Sequence, residues 1–332
     1  MSSYAPVIAA VDGSDHSLAA LEWAMEAARI RGAEVLAVRV RSTAPTLPGP
    51  DLAALPAPDL APRPPAPAEW EDDPVREQVE KFIASRTGSS RLQWRVENLI
   101  AARADSVRTQ PSGTEPAVTY SVLEGGAPSA ALVEAAAEAQ LLVVGSRGLG
   151  GFAALLLGST GRKLAMQAPN PVVIVPHADR TADRSEASGP EQIVLGLAPD
   201  ETADAAVEFA FAEADRRGAE LQVVSTYLVP LTSLLVVGEL ADTSDTRIGH
   251  DLKEAQTARL APFRTRSPSV QVGQIATAGD PAGRLVTASR SATLTVVGRH
   301  RRRLRPDALV LGSVTNAVLQ HAQGPVAVVP GD

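Results

Sequence analysis

The chain has 332 residues, a length that divides into two domains of ordinary size, and carries 31 basic against 38 acidic residues for a net charge of −7. That balance provides no basic field for nucleic acid or an anionic membrane, and no apolar run approaches the ~18 residues of a membrane span. With no cysteine there is no disulfide, thiol nucleophile or thiolate metal site.

In chain order, the first half reads as a strand over Pro6–Asp12, a helix over Ser17–Ile30 and a strand over Glu34–Val40. Residues 1–6 lack the basic and apolar regions of a secretory leader, so a cytoplasmic protein is the expectation. Nine of the 26 prolines then fall between Pro45 and Pro67. Proline removes backbone donors and resists element interiors, so a Pro-rich insertion spans about 43–72. A tolerated surface excursion is the plainer reading of it; a docking peptide for a proline-reading partner is the sharper one. A helical pattern follows from about Pro74 to Ser106 with a break at Thr87–Ser90, then a strand over Ala117–Leu123. The half closes with a helix over Ser129–Ala139, a strand over Gln140–Gly145, a helix over Ser159–Ala168 and a strand over Pro171–Val175. Continuous apolar runs such as Val7–Val11, Leu141–Val144 and Val172–Val175 suit parallel strands covered on both faces.

The second half copies this plan, with strands near Gln192–Leu197, Glu220–Thr226, Val270–Ala276, Leu294–Gly298 and Pro325–Val329. Arg31-Gly32-Ala33-Glu34 returns as Arg217-Gly218-Ala219-Glu220, and Val143-Val144-Gly145 as Val296-Val297-Gly298. Pro171-Val172 likewise returns as Pro325-Val326, and the order is collinear, which marks a tandem duplication. The offset falls from 186 (Gly32 to Gly218) to 153 (Gly145 to Gly298), so the first half carries 33 extra residues, where the proline-rich stretch lies. The units are therefore placed at 1–176 and 192–332, with a polar linker at 177–191. Strands alternating with helices imply right-handed crossovers and an open parallel sheet.

In a sheet of order 3-2-1-4-5 the first and fourth strands are neighbours, and their loops open a crevice at the carboxyl ends. Asp12 ends the first of these strands, and glycines begin where the fourth stops: Gly145-Ser146-Arg147-Gly148, then Gly158-Ser159-Thr160-Gly161. Glycines let backbone approach a ligand, and a helix starting near Ser159 offers unpaired amides and a dipole to an anion. Asp12 suits a base amine or a sugar hydroxyl. A carboxylate at one end and an anion nest at the other describe a nucleotide.

The spacing Gly145-x2-Gly148-x9-Gly158-Ser159, with Val11-Asp12-Gly13-Ser14 closing the first strand, resembles the universal stress protein family in its tandem-domain form. The resemblance covers nearly the whole chain apart from the insertion and the linker. It implies an α/β fold of two tandem flavodoxin-like (adenine nucleotide alpha hydrolase-like) domains. Each would be an open five-stranded parallel sheet of order 3-2-1-4-5 with helices on both faces. The implied ligand is ATP, with Asp12 at the adenine and backbone at Val40 and Val144 flanking it. Gly145, Arg147, Gly148, Gly158, Ser159 and Thr160 would hold ribose and phosphates, and any Mg2+ would be held mainly by the phosphates.

The second half departs from the pattern: Ala198 stands where Asp12 does, followed by Pro199, and Arg301 matches Gly148. One competent site per chain is expected, with the second half completing an intramolecular pseudo-dimer. Val172–Val175 and Val326–Val329 could pair across the halves, or each simply end its own sheet; a further homodimer stays open. The run Arg299-His300-Arg301-Arg302-Arg303-Leu304-Arg305 reads as a solvated loop, with anion capture or an acidic partner as the competing reading. The five histidines show no metal-ligand spacing, and Ser14 or Asp15 reads as a helix N-cap. The leading functional reading is an ATP-binding regulatory protein with an unknown protein partner. A slow ATP hydrolase using Arg147, Arg162 or Lys163 competes with it, as does a nucleotide-independent interaction protein.

Overall fold

The computed structural model describes residues 5–42, 73–87, 92–94, 116–147, 157–176, 191–228, 239–299 and 311–331. Its first half comprises β1 (Val7–Ala10), α1 (Asp15–Arg31), β2 (Val35–Ser42), α2 (Pro74–Thr87), β3 (Leu92–Trp94) and β4 (Val118–Gly125). α3 (Pro128–Ala136), β5 (Leu141–Gly145), α4 (Ser159–Gln167) and β6 (Val172–Val175) complete it. The second half follows with β7 (Gln192–Gly196), α5 (Asp204–Arg217), β8 (Glu220–Tyr227), α6 (Glu239–Arg266) and β9 (Val272–Ala278). α7 (Pro281–Ala288), β10 (Leu294–Arg299), α8 (Ser313–His321) and β11 (Val326–Pro330) end it.

The repeated Arg-Gly-Ala-Glu signature has a local cause. Gly32 and Gly218 both take φ +60°, the left-handed conformation that glycine adopts without strain, and so cap α1 and α5. The N–H of Ala33 then bonds Ala28 O at 2.9 Å, as the N–H of Ala219 bonds Ala214 O at 2.9 Å. Each helix therefore ends at the glycine and hands the chain to the next strand.

The strands form one sheet of eleven, in the order β3-β4-β2-β1-β5-β6-β11-β10-β7-β8-β9. Counting the long strands of the first half, this is 3-2-1-4-5, and the second half repeats it from the other side. Pairing within each half is parallel. The halves meet where β6 and β11 pair antiparallel, Val172 opposite Val328 and Ile174 opposite Val326. Of the two alternatives for the terminal strands, cross-pairing is the one observed. Valine and alanine on both faces explain it: Val173 and Ala327 are fully buried, so neither edge faces water.

Two apolar layers cover the sheet. One gathers α1, α2, α5 and α6 residues such as Leu21, Val79, Phe211 and Leu260. The other gathers α3, α4, α7 and α8 residues such as Leu132, Leu164, Leu285 and Val318. Both layers run across the two halves.

One expectation fails in the first half. The helical pattern from Pro74 continues only to Thr87, and Leu92–Trp94 form a short edge strand beside β4 instead. An open sheet edge offers backbone partners there, Leu92 opposite Val118 and Trp94 opposite Tyr120, and pairing along it overrides the helical periodicity. The Pro-rich insertion at 43–72, the rest of that pattern, the linker at 177–190 and His300–Arg305 lie outside the described residues.

Candidate functional site

The site is built on the carboxyl ends of β2, β1 and β5. β1 pairs β5 with Ala9 opposite Val143, and β2 with Ala10 opposite Val38. Carrying both registers forward puts Asp12 level with Ser146 on one side and Val40 on the other. The N–H of Val11 still bonds Val38 O at 2.8 Å, so β2 guides the chain up to that point. Ile8 and Ala10 pack in the layer that contains α4, and alternation along the strand assigns Asp12 to the same side. Val40 and Val144 pack in that layer as well, Val144 being 4% exposed.

Asp12 does not stand alone. Its Oδ1 accepts from the Ser14 N–H at 3.0 Å and from the Ser14 hydroxyl at 2.6 Å. Ser14 in turn is the N-cap of α1, its Oγ accepting from the Ser17 N–H at 3.3 Å. The loop is thereby closed on itself, with the Asp12 N–H bonded to Ser17 Oγ at 3.3 Å. Gly13 sits between them at φ +86°, a conformation a larger residue would resist, and a Cβ there would run into the Gln78 side chain. The expected N-cap is thus present, and it also fixes the carboxylate. Sequence reading missed this coupling; the signal was Asp-x-Ser, the pattern of a side chain bonding two residues on.

The two glycines that bracket the opposite wall differ in kind. A Cβ on Gly145 would lie 2.6 Å from His16 O, so this glycine admits the first turn of α1 against β5. Gly158 is extended at φ −69°, ψ 157°, and a Cβ there would make only ordinary contacts, 3.5 Å from Ser146 O and 3.7 Å from Arg147 Cα. The fold requires glycine at 145. The described residues around 158 make no such demand.

Gly158 N–H bonds Ser146 O at 2.7 Å, which ties the start of α4 to the end of β5. As N-cap, Gly158 supplies no side-chain bond to the first turn of α4, and that turn holds no acidic residue. Its amides therefore end in positive partial charge with Ser159 exposed and Thr160 half-buried beside them, an arrangement that favours an anion. Arg162 and Lys163 are exposed on the same helix, and Arg147 is half-buried where β5 ends. Gly148 lies outside the described residues. Among the described residues no group of three or more His, Asp or Glu is placed to hold a metal, and no helix is long and apolar enough to cross a membrane.

The second half keeps the bare helix start, Gly312 capping α8 with no side-chain bond and no acidic residue in the first turn, but has Ala198 in place of the carboxylate. Past β7 the chain turns at Ala198, whose N–H bonds Thr202 Oγ1 at 2.9 Å, and α5 does not begin until Asp204. Its N-cap Ala203 has no side-chain cap. Arg299, read from sequence as the start of a solvated loop, is instead the last residue of β10 and is half-buried. Its Nη1 donates to Ala168 O in the first half at 2.7 Å. A neighbouring backbone carbonyl drew this arginine out of the loop, which the charge run concealed.

Two parallel α/β units with a carboxylate and a helix N-terminus at adjoining strand ends form the class of fold that binds ligands at a topological switch point. The model of the Universal stress protein family matches residues 3–176 and again 190–330. The chain belongs to the universal stress protein family, with two such domains in tandem. It is 30% identical over 326 residues to universal stress protein Rv2005c of Mycobacterium tuberculosis, covering 97% of this chain and 96% of that one. Among solved structures, a universal stress protein from Archaeoglobus fulgidus superposes with a TM-score of 0.54 at 18% identity, covering 98% of both chains. A putative universal stress protein from Pseudomonas aeruginosa does so with a TM-score of 0.55 at 12% identity, covering 98% of this chain and 93% of that one. These two share the fold.

Proposed function

We propose that the protein is an ATP-binding regulator of the cytoplasm with one nucleotide site per chain, in the first half. The observation that carries this reading is Gly158: its backbone conformation and the described residues around it leave room for a side chain, yet the position at the mouth of α4 has none. A ligand that must touch main chain explains the bare position. Phosphates on the amides of Ser159 and Thr160 satisfy orphan donors and the helix dipole together. Asp12, level with Val40 and Ser146, takes the adenine end, and the Ser14 bonds hold its carboxylate oriented before the ligand arrives. That pre-organisation reduces the ordering that binding requires. Backbone at Val40 and Val144 flanks the base; Gly145, Arg147 and Gly148 complete the cradle. Any Mg2+ is held mainly by the phosphates, since the described residues bring no carboxylate cluster to it.

The regulatory reading is supported by the docking of the two halves through β6 and β11, while nothing in the described site supplies a metal clamp or an oriented nucleophile for phosphoryl transfer. Calorimetric titration of nucleotide-stripped protein with ATP tests the reading. One equivalent is expected, with affinity falling about ten- to over a hundredfold in Asp12→Ala through loss of a charged acceptor. No binding by the unaltered protein overturns the proposal. Two equivalents overturn the assignment of a single site, and steady release of ADP moves the protein to the slow-hydrolase reading.

A further inference from the structure

Helix α4 has its two ends in different company. Its first turn is the phosphate end proposed above. Its last turn closes with Ala168, fully buried, whose N–H bonds Leu164 O at 2.9 Å and whose own carbonyl accepts from Arg299 Nη1 at 2.7 Å. Arg299 belongs to the second half, at the end of β10, and shares a strand face with Val297, which packs in the same apolar layer as Leu164, Ala165 and Ala168. The bond therefore crosses the β6–β11 junction on the α4 side of the sheet.

The duplication puts different residues at the two matching strand ends. The residue matching Arg299 in the first half is Ser146, at the offset of 153 that relates Gly145 to Gly298. Ser146 stays within its own half, its N–H on Val175 O and its carbonyl accepting from Gly158 N–H. Thus one strand end contacts the start of α4 from within, while its duplicated partner contacts the far end of α4 from outside.

We propose that Arg299 is a positioning residue for the nucleotide site: it holds α4 by its C-terminal end, so that phosphate binding at the N-terminal end and docking of the halves reinforce each other. This rests on the nucleotide reading above. A cation at a helix C-terminus and an anion at its N-terminus are both favoured by the same dipole, and α4 is a rigid nine-residue body about 14 Å long at 1.5 Å per residue. Coupling of this kind is reciprocal: if docking strengthens binding, binding strengthens docking by the same factor. The second half, without a competent site of its own, then acts as the lever that reports occupancy of the first.

The test compares ATP with adenosine, which has no phosphate to meet α4, in Arg299→Met and Arg299→Lys. Removing the charge is expected to weaken ATP about two- to fivefold at low salt while adenosine affinity holds, and lysine to restore the ratio. An unchanged ratio, whether both ligands keep their affinity or lose it together, overturns the proposal by reducing Arg299 to a structural contact. In the unaltered protein, ATP should slow hydrogen exchange at the β6–β11 amides from Val172 to Ile174; exchange indifferent to ATP overturns it independently of any variant. Failure of the unaltered protein to bind ATP sinks the nucleotide reading itself and this inference with it, an outcome distinct from the other two.

Discussion

Arg31, the last residue of α1, donates a hydrogen bond to the carboxylate of Glu213 on α5, and both side chains are almost wholly withdrawn from water, at 3% and 1% exposed. The contact crosses the junction on the sheet face opposite α4. Glu213 is held from its own helix as well, by Arg216 at 3.0 Å and Arg217 at 3.6 Å, and the Arg217 guanidinium lies 5.5 Å over the ring of Trp23 in the first half. Burial pulls Arg31 down to about 10, with the charge of Glu213 opposing that fall. Glu213 thus faces the buried Arg31 and Arg217 and the part-exposed Arg216, with Glu191 reaching Arg217 from the rim at 3.9 Å.

Replacing Glu213 with Gln should therefore leave arginines facing one another in a dry junction. Breaking a buried pair from one side costs about 3–5 kcal/mol, far more than a surface ion pair contributes. Urea unfolding of Glu213→Gln is expected to show a loss of that size. A drop under about 1 kcal/mol would mean that water reaches the junction.

That pair also shows what a sequence can and cannot disclose. The duplication and the strand order were legible because apolar runs, glycine caps and their spacing are local. Glu213 gave no such signal: within Phe211-Ala212-Glu213-Ala214 it reads as an ordinary helical acid, and its partner lies 182 residues away. Arg299 was hidden in the same way by the arginines that follow it. Leu92–Trp94 escaped because three residues are too few for any period to declare itself. At the site, Asp12 and the glycines could be picked out, whereas the different physical reasons for Gly145 and Gly158 depend on what each Cβ would meet.

Tyr120 provides a pH-dependent prediction. It is 3% exposed, its hydroxyl donates to Asp73 Oδ2 at 3.3 Å, and Asp73 is itself ion-paired with Arg39. Burial pushes the phenol up to about 12 from an ordinary 10, with Arg39, Arg41 and Arg76 opposing. A raised folded value means that the folded state keeps its proton longer than the unfolded chain. The contribution is whole below pH 10 and is lost as the pH climbs from 10 toward 12, on the order of 1–2 kcal/mol. Tyr120→Phe should flatten that alkaline limb of stability. Parallel curves for the two proteins would rule out Tyr120 as its source.

Ser14 serves two masters, capping α1 and holding Asp12 Oδ1. Loss of an N-cap hydroxyl costs about 1 kcal/mol. Ser14→Ala should accordingly lower stability by that amount and also weaken ATP, since the Asp12 carboxylate is no longer fixed in advance. Ser14→Gly separates the effects, because glycine is tolerated at an N-cap at a few tenths of a kcal/mol yet cannot hold the carboxylate. Its expected signature is near-normal thermal unfolding with reduced affinity.

The sharpest contrast lies between the two glycines. Gly145→Ala must displace the backbone of His16, 2.6 Å from the new methyl, and overpacking of this kind costs about 1–3 kcal/mol. Among the described residues Gly158→Ala meets nothing closer than 3.5 Å, and the position already has an extended conformation that alanine adopts freely. Stability there should hold or rise by up to ~1 kcal/mol, because alanine narrows the unfolded ensemble. If phosphate oxygens approach that backbone, the same methyl lies in their path and ATP affinity should fall at least about tenfold. A Gly158→Ala protein that unfolds like the parent and binds ATP equally well would show that the start of α4 is not where the ligand sits. Loss of binding without loss of stability has no source in the packing of the described residues, and so would support phosphates at α4.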